Sequence, residues 1–150
     1  MIRPDLRQEL MLLALALLAL VVFGVGYSVG QRDETFHTDW VKPLHGLAGA
    51  NGAVGTIQGG TPDANGNTPL LLTVRGLRPL HKAERYILYL TRDGKRFSSC
   101  GEFKARATTT RVRLSAPGTL TYRDGWEVVR AELDDRTVEK PLLRTARATG

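Results

Sequence analysis

A chain of 150 residues holds one domain of ordinary size with something added to it. Its 42% apolar and 24% charged residues exclude wholesale disorder. A single cysteine excludes an intrachain disulfide and any cysteine-rich zinc cluster.

The apolar share is concentrated near the start. Leu10 to Gly30 contains no Asp, Glu, Lys, Arg or His. At ~1.5 Å per residue, 21 helical residues span roughly 30 Å, the thickness of a bilayer's hydrocarbon core. The run is apolar all round, so it lacks the polar stripe of a helix in a water-soluble protein. It is read as one transmembrane signal anchor. A cleaved signal peptide is the alternative, with the small residues Ser28-Val29-Gly30 standing before Gln31. Against cleavage, the run exceeds the ~7–15 residues of a signal peptide's apolar region. Arg3 and Arg7 precede the run while Arg32 and Lys42 follow it, so the flanking charges nearly balance. A long following domain translocates largely regardless of its charge, which places residues 1–9 in the cytoplasm and 31–150 outside. Arg3 and Arg7 cancel Asp5 and Glu9, so the net charge of +6 belongs to the exterior part. Its basic residues are scattered singly, as on a solvated surface. A weak long-range attraction to anionic lipid or envelope polymer would follow.

Residues 31–51 mix charge, aromatics, Pro and Gly without a sustained period and are expected to be a juxtamembrane linker. From Gly52 onward, short alternating runs separated by turn residues predict an all-β domain over 52–146, with a tail at 147–150. Ala53–Gln58 is the first predicted strand, followed by a Gly-, Pro-, Asp- and Asn-rich loop. Leu70–Arg75 is the second. Arg85–Arg92 is apolar on both faces through Tyr86-Ile87-Leu88-Tyr89-Leu90 and should be a central strand. Asp93-Gly94 is a strong type I′ hairpin signal. Lys95–Phe103 returns, and Gly101 within it suggests a bulge or a close backbone approach. Thr110, Val112 and Leu114 alternate with arginines on a basic outer face. Trp126–Glu132 and Pro141–Thr145 complete seven strands. A seven-stranded immunoglobulin-like, Greek-key β-sandwich is the expected architecture.

An ordered set of motifs in this domain is Gly76-Leu77-Arg78-Pro79-Leu80, Tyr86-Ile87-Leu88-Tyr89-Leu90, Asp93-Gly94-Lys95, Cys100-Gly101-Glu102-Phe103 and Asp124-Gly125-Trp126-Glu127-Val128-Val129. With these, residues 52–145 resemble the extracytoplasmic carboxy-terminal domain of the anti-sigma-K factor family. In that family the third strand usually reads Y-x-L-W-L, and Tyr89 takes the Trp place here. The resemblance implies a sensor domain whose core positions include Tyr86, Leu88, Leu90, Gly101, Phe103 and Trp126. Regulators of that family carry a cytoplasmic sigma-binding domain, often with a zinc motif, before the membrane helix. Here Met1 to Glu9 precede the run and hold neither His nor Cys. The expectation is a sensor and anchor that acts through a partner membrane protein or anti-sigma protein, not by holding a sigma factor directly.

Chemistry is sparse. His37, Asp39 and His45 form an H-x-D-x5-H spacing that zinc sites use, but two His and one Asp in a polar linker are read as solvated. Ser98, Ser99 and His81 lack a nucleophile-elbow context. Asp134-Asp135 is read as a solvated loop. Gly59-Gly60 is followed by no helix pattern, so it is not read as a phosphate loop. Aromatics, 7% of the chain, fall on core periods and not on a base-stacking platform, which argues against nucleic acid. Cys100 is the one thiol. Strand alternation places it opposite Phe103 and nearer the surface, whereas a bulge at Gly101 would bury it as a small core residue. No catalytic residue, metal, cofactor or small-molecule ligand is indicated. The expected function is a membrane-anchored binding or sensing module of the bacterial envelope, touching membrane lipid and linked indirectly to transcription. The alternative is a structural envelope protein with no regulatory role.

Overall fold

The computed structural model describes residues 35–105, 108–121, 123–132 and 139–146. The run Leu10–Gly30 and the Asp134-Asp135 pair lie outside the described residues. Among the described residues no helix is long and apolar enough to cross a membrane. One compact unit begins at Phe36. It consists of eight strands: β1 (Trp40–Gly46), β2 (Val54–Gly59), β3 (Thr68–Arg75), β4 (Glu84–Arg92), β5 (Lys95–Phe103), β6 (Thr109–Ala116), β7 (Asp124–Glu132) and β8 (Lys140–Thr145).

Seven of these are the predicted strands, with ends moved by at most two residues. The eighth, β1, lies in the stretch expected to be linker, and it changes the architecture. The sheet order is β5-β4-β7-β8-β1-β2-β3-β6, antiparallel throughout. Leu44 of β1 pairs with Gly55 of β2 on one side and Thr145 of β8 on the other. Without β1 the remaining strands would form two separate sheets, as a sandwich requires. With it they merge into one. The expected two-sheet sandwich of seven strands is therefore replaced by a single eight-stranded sheet that curls almost into a barrel.

Its edge strands β5 and β6 come alongside each other without sharing a ladder. A Cβ on Gly101 of β5 would lie 2.8 Å from Leu114 Cδ2 of β6, so a glycine lets this seam close. Eight strands give an interior just wide enough for side chains to fill. Leu44, Ile57, Leu70, Leu72, Val74, Tyr86, Leu88, Leu90, Phe103, Trp126, Val128 and Leu143 fill it as one core. Each such side chain contributes ~1.5–3 kcal/mol when removed from water.

Local chemistry explains the strand paths. Asp93 and Gly94 both have positive φ, 51° and 76°, as a type I′ hairpin between β4 and β5 demands. The β4–β5 register then slips twice: Leu88 pairs with Gly101 but Tyr89 with Ser99, and Leu90 pairs with Ser98 but Thr91 with Arg96. The first slip makes Cys100 the extra residue of a bulge, which turns it into the core beside Phe103. Pro43 sits where the β1–β8 ladder has already ended at Leu44, and Pro141 pairs with Val129 at the β7–β8 register slip. Both prolines stand where a missing N–H does least harm.

Candidate functional site

β3 ends at Arg75, which pairs with Thr109 at the start of β6. Gly76, at φ +77°, then swings the chain away, and its N–H donates to the Thr108 carbonyl at 3.0 Å. A Cβ there would lie 3.3 Å from the Ala53 Cα, so both the conformation and the space call for glycine. The turn opens a cleft of about 650 Å³ lined by Arg75, Gly76, Leu77, Pro79, Ala105, Thr108 and Thr109. That volume lies within the ~300–1,000 Å³ of small-molecule sites. Leu77, Pro79 and Ala105 are its apolar surfaces, two threonine hydroxyls can donate or accept, and Arg75 supplies a cation. These lining residues include no carboxylate, imidazole or thiol, so the groups present are suited to binding and orienting a ligand.

Gly76 and Leu77 also border a smaller void of about 50 Å³ beside Arg78, Tyr86, Arg130 and Leu142. A polar network holds this region in place. Buried Glu84 accepts from Arg78 and from the His81 N–H at 3.0 Å, with Arg130 3.6 Å away. The Arg78 hydrogen bond, helped by the His81 N–H, holds the Glu84 carboxyl below the usual range. Tyr86 Oη donates to the Arg78 carbonyl at 2.8 Å, and burial pushes the phenol's pKa up. Gly76-Leu77-Arg78-Pro79, one motif of the resemblance set, thus forms the cleft and its support.

The opposite end of the sheet is closed by aromatics. Trp40, at the start of β1, stacks on Trp126 with centroids 4.9 Å apart. Its ring covers Gly59, where a Cβ would come within 1.9 Å of the indole. Lys42 faces the same interior, its Nζ 5.0 Å from the Trp126 ring centre and donating to the Asp124 carbonyl at 2.9 Å. Burial lowers the Lys42 pKa, and the charge of Asp124 opposes that shift. Burial alone would raise the Asp124 carboxyl. Hydrogen bonds from Arg92 at 2.8 Å and from the Thr121 N–H at 2.6 Å outweigh it, and the pKa falls below its ordinary value. This end is filled by protein side chains and reads as packing.

The residues singled out from the sequence are scattered. Tyr86, Leu88, Leu90, Phe103 and Trp126 belong to the core, and Tyr86 packs on Phe103 with centroids 5.5 Å apart. Cys100 is buried, and burial pushes its thiol up to about 11, so little thiolate exists near neutrality. His37 and Asp39 approach to 3.4 Å before β1, while His45 is exposed on β1. Among the described residues no three His, Cys, Asp or Glu side chains are grouped to hold a metal. Ser98 and Ser99 lie on β5 and His81 in the β3–β4 connection. Sequence reasoning missed Arg75, Thr108 and Thr109, because nothing local to either segment shows that β3 and β6 are neighbours. No family model, no curated protein and no solved structure matches this chain.

Proposed function

We propose that the chain is a membrane-anchored, extracytoplasmic binding module. It takes a small amphipathic anion in the cleft between the β3–β4 and β5–β6 connections and signals through a partner membrane protein. The cleft carries this reading, since its apolar walls and Arg75 match a short acyl chain with a negative head. The uncharged run Leu10–Gly30 supports the anchor, and the motif resemblance of residues 52–145 to anti-sigma-K sensor domains, with which no family model agrees, is what suggests a regulatory role.

The test uses the full-length chain in nanodiscs of neutral phosphatidylcholine, with methyl-labelled Leu77 and Ala105 followed by NMR. Titrated octanoate should shift both methyls saturably, and octylammonium should not. Ala105→Trp, which fills the cleft, should abolish the octanoate shift while the Leu88 and Leu143 methyls stay in place. Equal shifts with both amphiphiles, or shifts that survive Ala105→Trp, would remove the cleft from consideration.

A further inference from the structure

Gly76 and Leu77 line two spaces at once, the cleft of about 650 Å³ and the void of about 50 Å³. The β1–β2 turn, at Gly49, Ala50 and Asn51, forms another wall of that void, with Leu142 of β8 beside it. Arg78 and Arg130, both tied to Glu84, give the void a polar side. Protein interiors are close-packed, with few voids larger than a water molecule. A void bordered by a cleft-lining leucine gives that side chain somewhere to go. The same pair of residues also meets the end of the turn. The Gly76 backbone lies against Ala53, where a Cβ on the glycine would be 3.3 Å from the Ala53 Cα. Backbone bonds hold the turn: the Leu47 N–H donates to the Leu142 carbonyl at 2.7 Å, Ala50 to Leu47 at 3.0 Å and Ala53 to Ala50 at 2.9 Å.

We propose that Leu77 couples the cleft to the β1–β2 turn: a ligand in the cleft favours the rotamer in which the leucine isobutyl group fills the void, packs on Ala50 and Leu142 and holds the turn closed. This rests on the cleft reading given above and adds its regulation. Leucine occupies discrete staggered rotamers, so the side chain has separate positions and not a continuum. A space of this size has room for water against Arg78 and Arg130. Rotation of Leu77 exchanges that water for an apolar group packed on two others. It also vacates part of the cleft beside Pro79 and Ala105. With the cleft empty, water must fill that vacancy, whereas a bound acyl chain fills it with apolar contact. The ligand therefore prefers the rotated state, and such a difference in affinity is what any ligand-driven change requires. Ala48, Gly49, Asn51 and Gly52 are exposed, so the state of the turn is open to a partner protein.

The experiment follows the full-length chain in phosphatidylcholine nanodiscs by NMR, with and without octanoate. The Ala105 methyl reports occupancy of the cleft, and the shift difference between the two Leu77 methyl carbons reports its rotamer. Amide hydrogen exchange at Ala50 and Ala53 reports the turn. Octanoate should change the Leu77 difference and slow exchange at both amides at least about fivefold, the low end of ordinary coupling factors. Gly66, whose N–H closes a turn on Asp63 at 2.9 Å in the β2–β3 connection, should exchange at an unchanged rate. Ala50 lines the void and not the cleft. Ala50→Val should therefore keep the Ala105 response and lose the responses of Leu77 and the two amides. Where that variant fails to fold, the exchange rates of the parent chain decide. An Ala105 response with unchanged exchange at Ala50 and Ala53 would overturn the coupling and leave the cleft standing. Equal slowing at Gly66 would also overturn it, as general stabilisation by binding. No Ala105 response would overturn the cleft, and the coupling with it.

Discussion

Trp126 is 1% exposed and packed between Trp40 and the Leu90 side of β4, yet its Nε1 has no hydrogen-bond partner among the described residues. Its value is therefore volume and not polarity. Trp126→Ala should cost ~3–5 kcal/mol and unfold the domain or nearly so. Trp126→Phe, which keeps a ring and removes an unpaired donor, should cost far less. Thermal melts of the two variants check this, and similar losses would mean that the indole N–H matters. Two buried carboxylates add a pH dependence. Glu84 and Asp124 both titrate below their ordinary values in the fold, so each contributes stability that is present above the usual carboxylate range, about 4, and disappears as pH falls through the folded values. The melting temperature should hold from neutrality to about pH 5 and then drop below about pH 4. Asp124→Asn should melt lower than the parent at pH 7, with the gap narrowing toward pH 3. A constant gap would assign the loss to packing.

β1 carries residues that by themselves weigh against a strand. Its inward side reads Trp40, Lys42, Leu44, with a lysine inside, and Pro43 interrupts the outward side. What makes it a strand is its neighbours. Gly59 on β2 leaves room for the Trp40 ring, and the Asp39 N–H donates to the Gly59 carbonyl at 2.8 Å. Gly59→Ala should therefore displace Trp40 and cost ~1–3 kcal/mol, the usual range for overpacking. The readout is a lower melting temperature with altered tryptophan fluorescence, since the Trp40–Trp126 stack would open. An unchanged spectrum would show that β1 is anchored elsewhere.

At the scale of the molecule, β1 is the link that joins β8 to β2 and turns two sheets into one. Residues 36–150 should accordingly melt in one cooperative transition, whereas residues 52–150 should not. The shorter piece loses Trp40 and Leu44 from the core and leaves β2 and β8 each with an unpaired edge, which invites aggregation. Circular dichroism and size-exclusion chromatography of the two pieces decide it. Equal cooperativity would demote β1 to an accessory strand.

What the sequence determined by itself was local. Alternation placed seven strands, Asp93-Gly94 announced the β4–β5 hairpin, Gly101 suggested a bulge or a close approach while leaving the burial of Cys100 open, and the Tyr86–Leu90 run announced a central strand. Each of these depends on side chains within a few positions of one another. The tertiary structure decided the rest. Whether Lys42 can lie inside depends on Trp126 and the Asp124 carbonyl, more than 80 residues away. Whether Arg75 borders a cleft depends on Thr108 and Thr109, brought beside it by the β3–β6 ladder. Strand order is set by which edges find partners when the sheet curls, and that is a property of the whole chain that no local period encodes.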